Sequence, residues 1–258
     1  MDLGIKGKTA LVAASSAGLG LACATALARE GCTVTINGRD ARRLADARAG
    51  IEAATGARVH TVIADITTEA GRKAFVDACP EADILVNNNA GPAPGKLADW
   101  DHAAWMSAIE ANMLSPILLI RALLPGMRAR KFGRIVNITS AMVKSPRPHM
   151  ALSTAARTGL TAFAKAMALE SAIDNVTINN LLPGQFDTDR LRANFAHSAG
   201  KDGNAAEVAE RRRQQIPAGR FGTPGEFGDA CAYLCSAQAG FISGQNLQLD
   251  GGSYPGLI

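Results

Sequence analysis

The sequence is poor in aromatic residues: two tryptophans, two tyrosines and eight phenylalanines make up only 5% of 258 positions. No basic run alternates with aromatics, so the stacking platform that single-stranded nucleic acids require is missing. An excess of one charge is missing too. Against 23 Asp and Glu stand 27 Lys and Arg, and this net +4 is too small and dispersed for a nucleic-acid partner. The densest basic run, Arg211-Arg212-Arg213, follows Glu207 and Glu210 and is expected to be a solvated helix face. No uninterrupted apolar run approaches ~18 residues, so no membrane span is expected; the stretch 113–120 is broken by Ser115 and Pro116. The opening residues, MDLGIKGK, lack the basic-then-apolar layout of a signal peptide, and a cytoplasmic location is expected. Cysteine is scarce and odd in number, at Cys23, Cys32, Cys79, Cys231 and Cys235. Cys231 and Cys235 have helical spacing but no second pair to complete a zinc site. His60, His102, His149 and His197 are as scattered, so no metal site is expected.

What the chain does have is apolar content: 47% hydrophobic and 19% charged residues suit a packed core rather than disorder or a disulfide-held miniprotein. Short β-branched runs alternate with longer amphipathic stretches. Strands are expected at 9–13, 33–37, 58–63, 84–87, 133–138, 176–182 and 246–249, and helices at 19–30, 42–55, 69–79, 101–130, 152–173 and 224–237. Runs such as IVNI and DILVN are nearly continuous and apolar, as in a parallel sheet covered on both faces. The fold class expected is α/β: a single doubly wound Rossmann-type domain over 1–258 with a seven-stranded parallel sheet. The polar stretch 185–222 is expected to be a lid or binding loop on the substrate side.

Directly after the first strand, Ala14-Ser15-Ser16-Ala17-Gly18-Leu19-Gly20 leads into a helix. Gly18 and Gly20 would let the backbone approach a pyrophosphate, which the helix N-terminus stabilises. Arg39 stands twenty-one residues after Gly18, near the spacing at which dinucleotide folds read the adenosine ribose. An arginine there offers a cation to the 2′-phosphate of NADP, so NADP is the expected cofactor and NAD the alternative. Asp40 is read as the N-cap of the next helix.

These pieces, with others further along, resemble the short-chain dehydrogenase/reductase family over essentially the whole chain. The matching motifs are Gly18-Leu19-Gly20, Asp65 after the third strand, Asn88-Asn89-Ala90-Gly91 after the fourth, and Asn112 in the fourth helix. Ser140, which closes IVNITS, Pro183-Gly184 with Thr188, and Leu249-Asp250-Gly251-Gly252 complete the set. The resemblance implies that Ser15, Ser16, Gly18, Leu19 and Gly20 line the cofactor phosphates and that Asp65, with Ile66 beside it, meets the adenine. It further implies that Asn89, Ala90 and Gly91 back the adenosine ribose and that Pro183, Gly184 and Thr188 hold the nicotinamide carboxamide. Ala14 stands where the family usually has glycine, which is expected to alter affinity without abolishing binding.

At the catalytic end the pattern breaks. By resemblance Ser140 orients a carbonyl and Asn112 anchors a water in a proton relay. The family's Tyr and Lys, however, fall on Ser153 and Arg157. In this loss of YxxxK the chain resembles a divergent, 3-oxoacyl-reductase-like subgroup of the family. A serine hydroxyl is a poor general acid, and Arg157 stays protonated, although it can still hold a ribose hydroxyl. Two replacement donors are open: Lys144, four residues after Ser140 in a loop expected to line the cleft, and His149, the side-chain type that titrates nearest neutrality. The function expected is an NADP(H)-dependent oxidoreductase that interconverts a ketone and a secondary alcohol with a non-standard proton donor. The alternative is a catalytically silent NADP-binding homologue that senses cofactor or serves as an oligomer partner. The partner expected is a small carbonyl or alcohol substrate, with no nucleic acid and no membrane. The resemblance also implies a homotetramer, paired through helices 101–130 and 152–173 with a second contact at the C-terminal strand.

Overall fold

In a computed structural model that describes residues 1–200 and 203–257, every expected strand forms, its ends shifted by one residue at most. They are β1 Thr9–Val12, β2 Thr33–Gly38, β3 Val59–Ile63, β4 Ile84–Asn87, β5 Gly133–Ile138, β6 Val176–Pro183 and β7 Asn246–Leu249. All pair in parallel, in the order β3-β2-β1-β4-β5-β6-β7. The direction of winding reverses between β1 and β4, and in such sheets the crevice for ligands opens there, beyond the carboxyl ends of the strands. The helices are α1 Gly18–Arg29, α2 Ala41–Thr55, α3 Glu69–Asp77, α4 His102–Ile109, α5 Ser115–Ala129, α6 Ala151–Ser171, α7 Asp189–Ala199, α8 Ala205–Gln214 and α9 Pro224–Leu234.

Successive strand residues point to opposite faces, so each strand feeds two cores. Ala10 and Val12 of β1 join Leu27 and Phe227 in one layer, while Leu11 joins Phe75, Leu119 and Met127 in the other. Both faces are therefore dry, which is why these strands read as apolar runs. The polar exception is a buried amide ladder. Asn87 donates to Asn137 at 2.9 Å, Asn137 to Asn180 at 3.0 Å, and Asn180 to Asn246 at 2.8 Å. These four residues are register partners across β4, β5, β6 and β7, so the ladder disfavours a slip of any strand.

The helix expected at 101–130 is interrupted by a π turn over Glu110–Leu114, between α4 and α5. Such turns are commonly found at functional sites, and this one carries Asn112. By length and composition the combined segment His102–Ala129 could cross a membrane, with mean hydropathy 1.4 over an 18-residue window that is 39% buried. This corrects the expectation of no such segment, which considered only uninterrupted apolar runs. Leu119, Ile120, Leu123 and Met127 of the segment pack in a core layer with Phe75 and Ile135.

The stretch 185–222 carries α7 and α8, and its residues 201 and 202 lie outside the described residues. Its base is pinned by a bridge between Phe186 and Gly222, where the Asp187 N–H donates to the Gly222 carbonyl at 2.9 Å. No α8 residue is buried, and Arg213 pairs with Glu210, so the arginine run lies on a solvated helix.

Candidate functional site

A cleft of about 630 Å³ opens at the carboxyl ends of β1, β4, β5 and β6. Its first wall is the turn after β1 and the start of α1, where Ala14, Ala17, Gly18 and Leu19 face the opening. Ala17 is the N-cap of α1 and brings no side-chain acceptor, so the N–H groups of the first turn are left for an anion. The turn is tight. Ala14 has φ +43°, a left-handed conformation that disfavours a side chain, and its carbonyl is fixed by Asn88 Nδ2 at 3.0 Å. A Cβ on Gly20 would lie 2.6 Å from that carbonyl oxygen, so only glycine lets the helix come this close. This backbone cradle fits a dinucleotide pyrophosphate.

Ser15 does not meet the expectation of cofactor contact. It is fully buried, its Oγ donates to the Val12 carbonyl at 2.6 Å and accepts from the Asn37 N–H at 3.1 Å, and its own N–H donates to the Asn37 carbonyl. The hydroxyl and N–H of Ser15 brace the turn from inside. Ser16 instead approaches the end of β2, where a Cβ on Gly38 would lie 3.1 Å from its Oγ.

Beyond β2 lie the residues expected to meet the adenosine ribose. Asp40 caps α2 by accepting from the Arg43 N–H at 2.9 Å. The Arg39 side chain is 74% exposed and lies 3.6 Å from Asp65, while Arg43, missed in the sequence, lines the cleft beside Leu19. Arg43 follows Arg39 by four residues, and that spacing was its only signal. The Thr67 N–H and hydroxyl, followed by Arg39, hold the Asp65 carboxyl below the usual carboxylate range. Ile66 is buried in a core layer, so its side chain is not at a ligand surface.

The deep part of the cleft is built from β4, β5, the π turn and α6. Ser140 lines the cleft and caps the 3-10 turn Ala141–Val143, accepting from the Met142 N–H at 3.1 Å. Ser153 and Arg157 lie one turn apart on α6 and both line the cleft. Arg157 is only 8% exposed and makes four hydrogen bonds, all to neutral oxygens. Nε donates to Ser153 Oγ at 3.3 Å, Nη1 to the carbonyls of Ile138 and Thr139 at 2.7 and 2.8 Å, and Nη2 to the Asn89 carbonyl at 3.3 Å. Burial, and secondarily the nearby Arg190, push its pKa down to about 10. It is still a cation at neutral pH. Asn112 is buried on the π turn with long contacts to the carbonyls of Ala90 and Ala108, at 3.5 and 3.4 Å, and its Oδ1 has no partner. A buried oxygen without a partner is where a water is expected.

Neither proposed replacement donor faces this cleft. Lys144 lines a separate cavity with Thr158, Thr161 and Lys165, and its Nζ lies 5.4 Å from the centre of the Tyr254 ring. The cause is the 3-10 turn after Ser140. At three residues per turn, Lys144 falls in line with Ala141 and not with Ser140. His149 is exposed in the 3-10 turn Pro148–Met150, whereas its neighbour Met150 lines the cleft. Among the described residues, no tyrosine, lysine or histidine lines the cleft.

The opposite wall carries Pro183, Gly184 and Thr188. Gly184 donates to the Leu249 carbonyl at 2.8 Å, and a Cβ there would lie 2.7 Å from that of Asp250, so the 249–252 segment backs this wall. Asn89 and Ala90 face it across the cleft. Asn89 is anchored by its Nδ2 to the Ala111 carbonyl at 3.1 Å. Gly91 is kept small by its neighbours: Ser153 Oγ, Arg157 Nη2 and Arg190 Nη2 all lie within 3.4 Å of where its Cβ would be. Arg190 was missed because one arginine in a polar stretch carries no pattern.

A family model described as enoyl-(acyl carrier protein) reductase matches residues 13–254. The chain is 33% identical to D-beta-hydroxybutyrate dehydrogenase of Cupriavidus necator, over 96% of this chain and 98% of that one. It is 32% identical to 3-oxoacyl-(acyl-carrier-protein) reductase FabG of Vibrio cholerae, over 98% of this chain and 99% of the other. Among solved structures it is similar to L-sorbose reductase from Gluconobacter frateurii complexed with NADPH and L-sorbose. The TM-score there is 0.94 at 30% identity, covering 100% of both chains.

Proposed function

The chain belongs to the short-chain dehydrogenase/reductase family, and on that premise we propose that it is an NADP(H)-dependent oxidoreductase interconverting a ketone and a secondary alcohol, with no side chain acting as the ultimate proton donor. The observation that carries this reading is the pairing, on one cleft, of a dinucleotide cradle with two serines and a buried cation. The names of the relatives, dehydrogenases and reductases, support it.

The nicotinamide cofactor, when bound, supplies or accepts the hydride. The chain's own residues do the rest. Gly18, Leu19, Gly20 and the first turn of α1 bind the pyrophosphate, with Ser16 toward the ribose. Arg39 and Arg43 bind the 2′-phosphate, and Asp65 meets the adenine. Asn89, Ala90 and Gly91 back the adenosine ribose, while Pro183, Gly184 and Thr188 orient the carboxamide. Ser140 and Ser153 donate hydrogen bonds to the substrate oxygen, and Arg157 stabilises the negative charge that grows there. A serine hydroxyl can hand on a proton only if one is returned to it, and a water held at Asn112 Oδ1 is suited to return it. The rate lacks the ~10²–10⁴-fold that a tuned general acid contributes. The 185–222 segment, pinned at its base, acts as the substrate-side lid. The chain assembles as a homotetramer through α5, α6 and β7, consistent with the exposed Leu169, Ile173 and Leu247. Light scattering that reports a monomer at micromolar concentration would remove that part.

The absence of a tyrosine, lysine or histidine among the described cleft residues favours a second reading, a silent NADP-binding homologue. Oxidation of NADPH against a panel of ketones decides between them. Turnover that falls at least ~10²-fold in Ser140→Ala supports the enzyme. Micromolar NADPH binding without turnover on any ketone supports the silent binder.

A further inference from the structure

The substrate end of the cleft holds more positive charge than the reaction itself calls for. Arg157 makes four hydrogen bonds with its five N–H groups, none of them to a carboxylate. One Nη2 proton is therefore uncommitted, and Nη2 is the atom that closes around Gly91. Arg190, on the first turn of α7, reaches over the same glycine. Its Nη2 donates to the Gly91 carbonyl at 2.9 Å and, at 3.5 Å, to that of Pro92, while Nε and Nη1 donate to nothing among the described residues. No ion pair involves either arginine among those residues. Among the described residues the one acidic side chain on the cleft, Asp189, pairs with Arg192 at 2.8 Å.

Two like charges brought together with no carboxylate between them are unfavourable unless an anion joins them. Desolvation lowers the pKa of both, and Arg190 further lowers that of Arg157. Ser153 Oγ and both Nη2 atoms cluster around Gly91, so an anion held by the uncommitted N–H groups of the two arginines lies beside a substrate oxygen held by Ser153. We infer that the substrate carries an anionic group beside its reacting carbon, and that Arg190, helped by the free N–H of Arg157, selects it. The planar guanidinium fork matches carboxylate and phosphate alike. This assignment rests on the oxidoreductase reading for what reacts, but not for what binds.

The test is calorimetric titration of a series of 2-oxo and 3-oxo acids, their methyl esters, and inorganic phosphate. Each is titrated into apo and NADP-loaded protein, parent and Arg190→Gln. The expected result is saturable binding of at least one acid, about tenfold or more tighter than its ester, a preference that Arg190→Gln abolishes and Arg190→Lys partly restores. NADPH affinity should change less than about twofold in Arg190→Gln, against the tenfold expected of a lost charged contact. Phosphate bound more tightly than every acid assigns the group as a phosphate and leaves the anion site standing. Esters bound as well as acids overturn the inference, and so does an Arg190→Gln variant that loses NADPH, because Arg190 then serves the cofactor. Binding of acids without turnover keeps the anion site and removes the oxidoreductase. Turnover of acids and esters alike does the reverse.

Discussion

Ser153 and Arg157, one helical turn apart on α6, form a hydrogen bond of 3.3 Å in which Arg157 Nε donates to Ser153 Oγ. The hydroxyl proton of Ser153 is thereby left to point elsewhere, into the cleft that both residues line. The pair keeps the cation of the family's Tyr and Lys arrangement but not its acid.

A pH dependence follows from the Arg157 pKa, lowered to about 10 by burial first and Arg190 second. kcat/KM for ketone reduction should be level across neutral pH and fall as pH rises through about 10, where the guanidinium loses its charge. The stability effect has the opposite sign. Above about 10, until the ordinary guanidinium range is reached, the unfolded chain holds the proton more tightly than the folded one, so this residue makes stability rise with pH there. A bend near neutrality in the rate profile would point to a histidine instead.

Lys144 faces Tyr254 and a separate cavity, so it should be dispensable for chemistry. Turnover of Lys144→Met should stay within about twofold of the parent, while Ser140→Ala should lose ~10²-fold or more with cofactor affinity unchanged. A severe loss in Lys144→Met would mean that the 141–144 turn rearranges when ligands bind.

On the function proposed above, cofactor choice rests on Arg39 and Arg43. NADP(H) should bind more tightly than NAD(H), and Arg39→Ala with Arg43→Ala should erase most of the difference. A charge-assisted contact is worth roughly 1.5–3 kcal/mol, or about 10- to 150-fold in affinity. Equal affinities in the parent protein, measured by fluorescence titration, would sink the assignment.

The amide ladder should be costly to break. Asn137→Leu leaves Asn87 Nδ2 and Asn180 Oδ1 buried without partners. At about 1–3 kcal/mol for each stranded group, roughly 2–6 kcal/mol of stability should be lost in denaturant unfolding. A change under about 1 kcal/mol would mean that water enters the ladder.

The sheet was legible because both of its faces are covered, so strands such as Ile84–Asn87 stand out as apolar runs. The ladder was not, because Asn137 and Asn180 read as ordinary polar interruptions until four strands are in register. The cradle could be read from Gly18 and Gly20, but the inward turn of Ser15 depends on Asn37, a residue from a neighbouring strand. The loss of the tyrosine and lysine was visible directly in the register of α6. The direction of Lys144 was not, since four residues after Ser140 faces the cleft in an extended loop and turns away in a 3-10 turn. Arg190 acts only through its reach across to Gly91, a contact between segments distant in the chain.

The most direct test of hydride transfer without a tyrosine uses NADPH deuterated at the transferred position, with Ser140→Ala alongside the parent. The account predicts deuterium on the alcohol carbon of the product and slowed turnover with the deuterated cofactor, with the rate of deuterium transfer ~10²-fold or more lower in Ser140→Ala. NADPH that binds at micromolar strength but passes no deuterium to any ketone or oxo acid would contradict it.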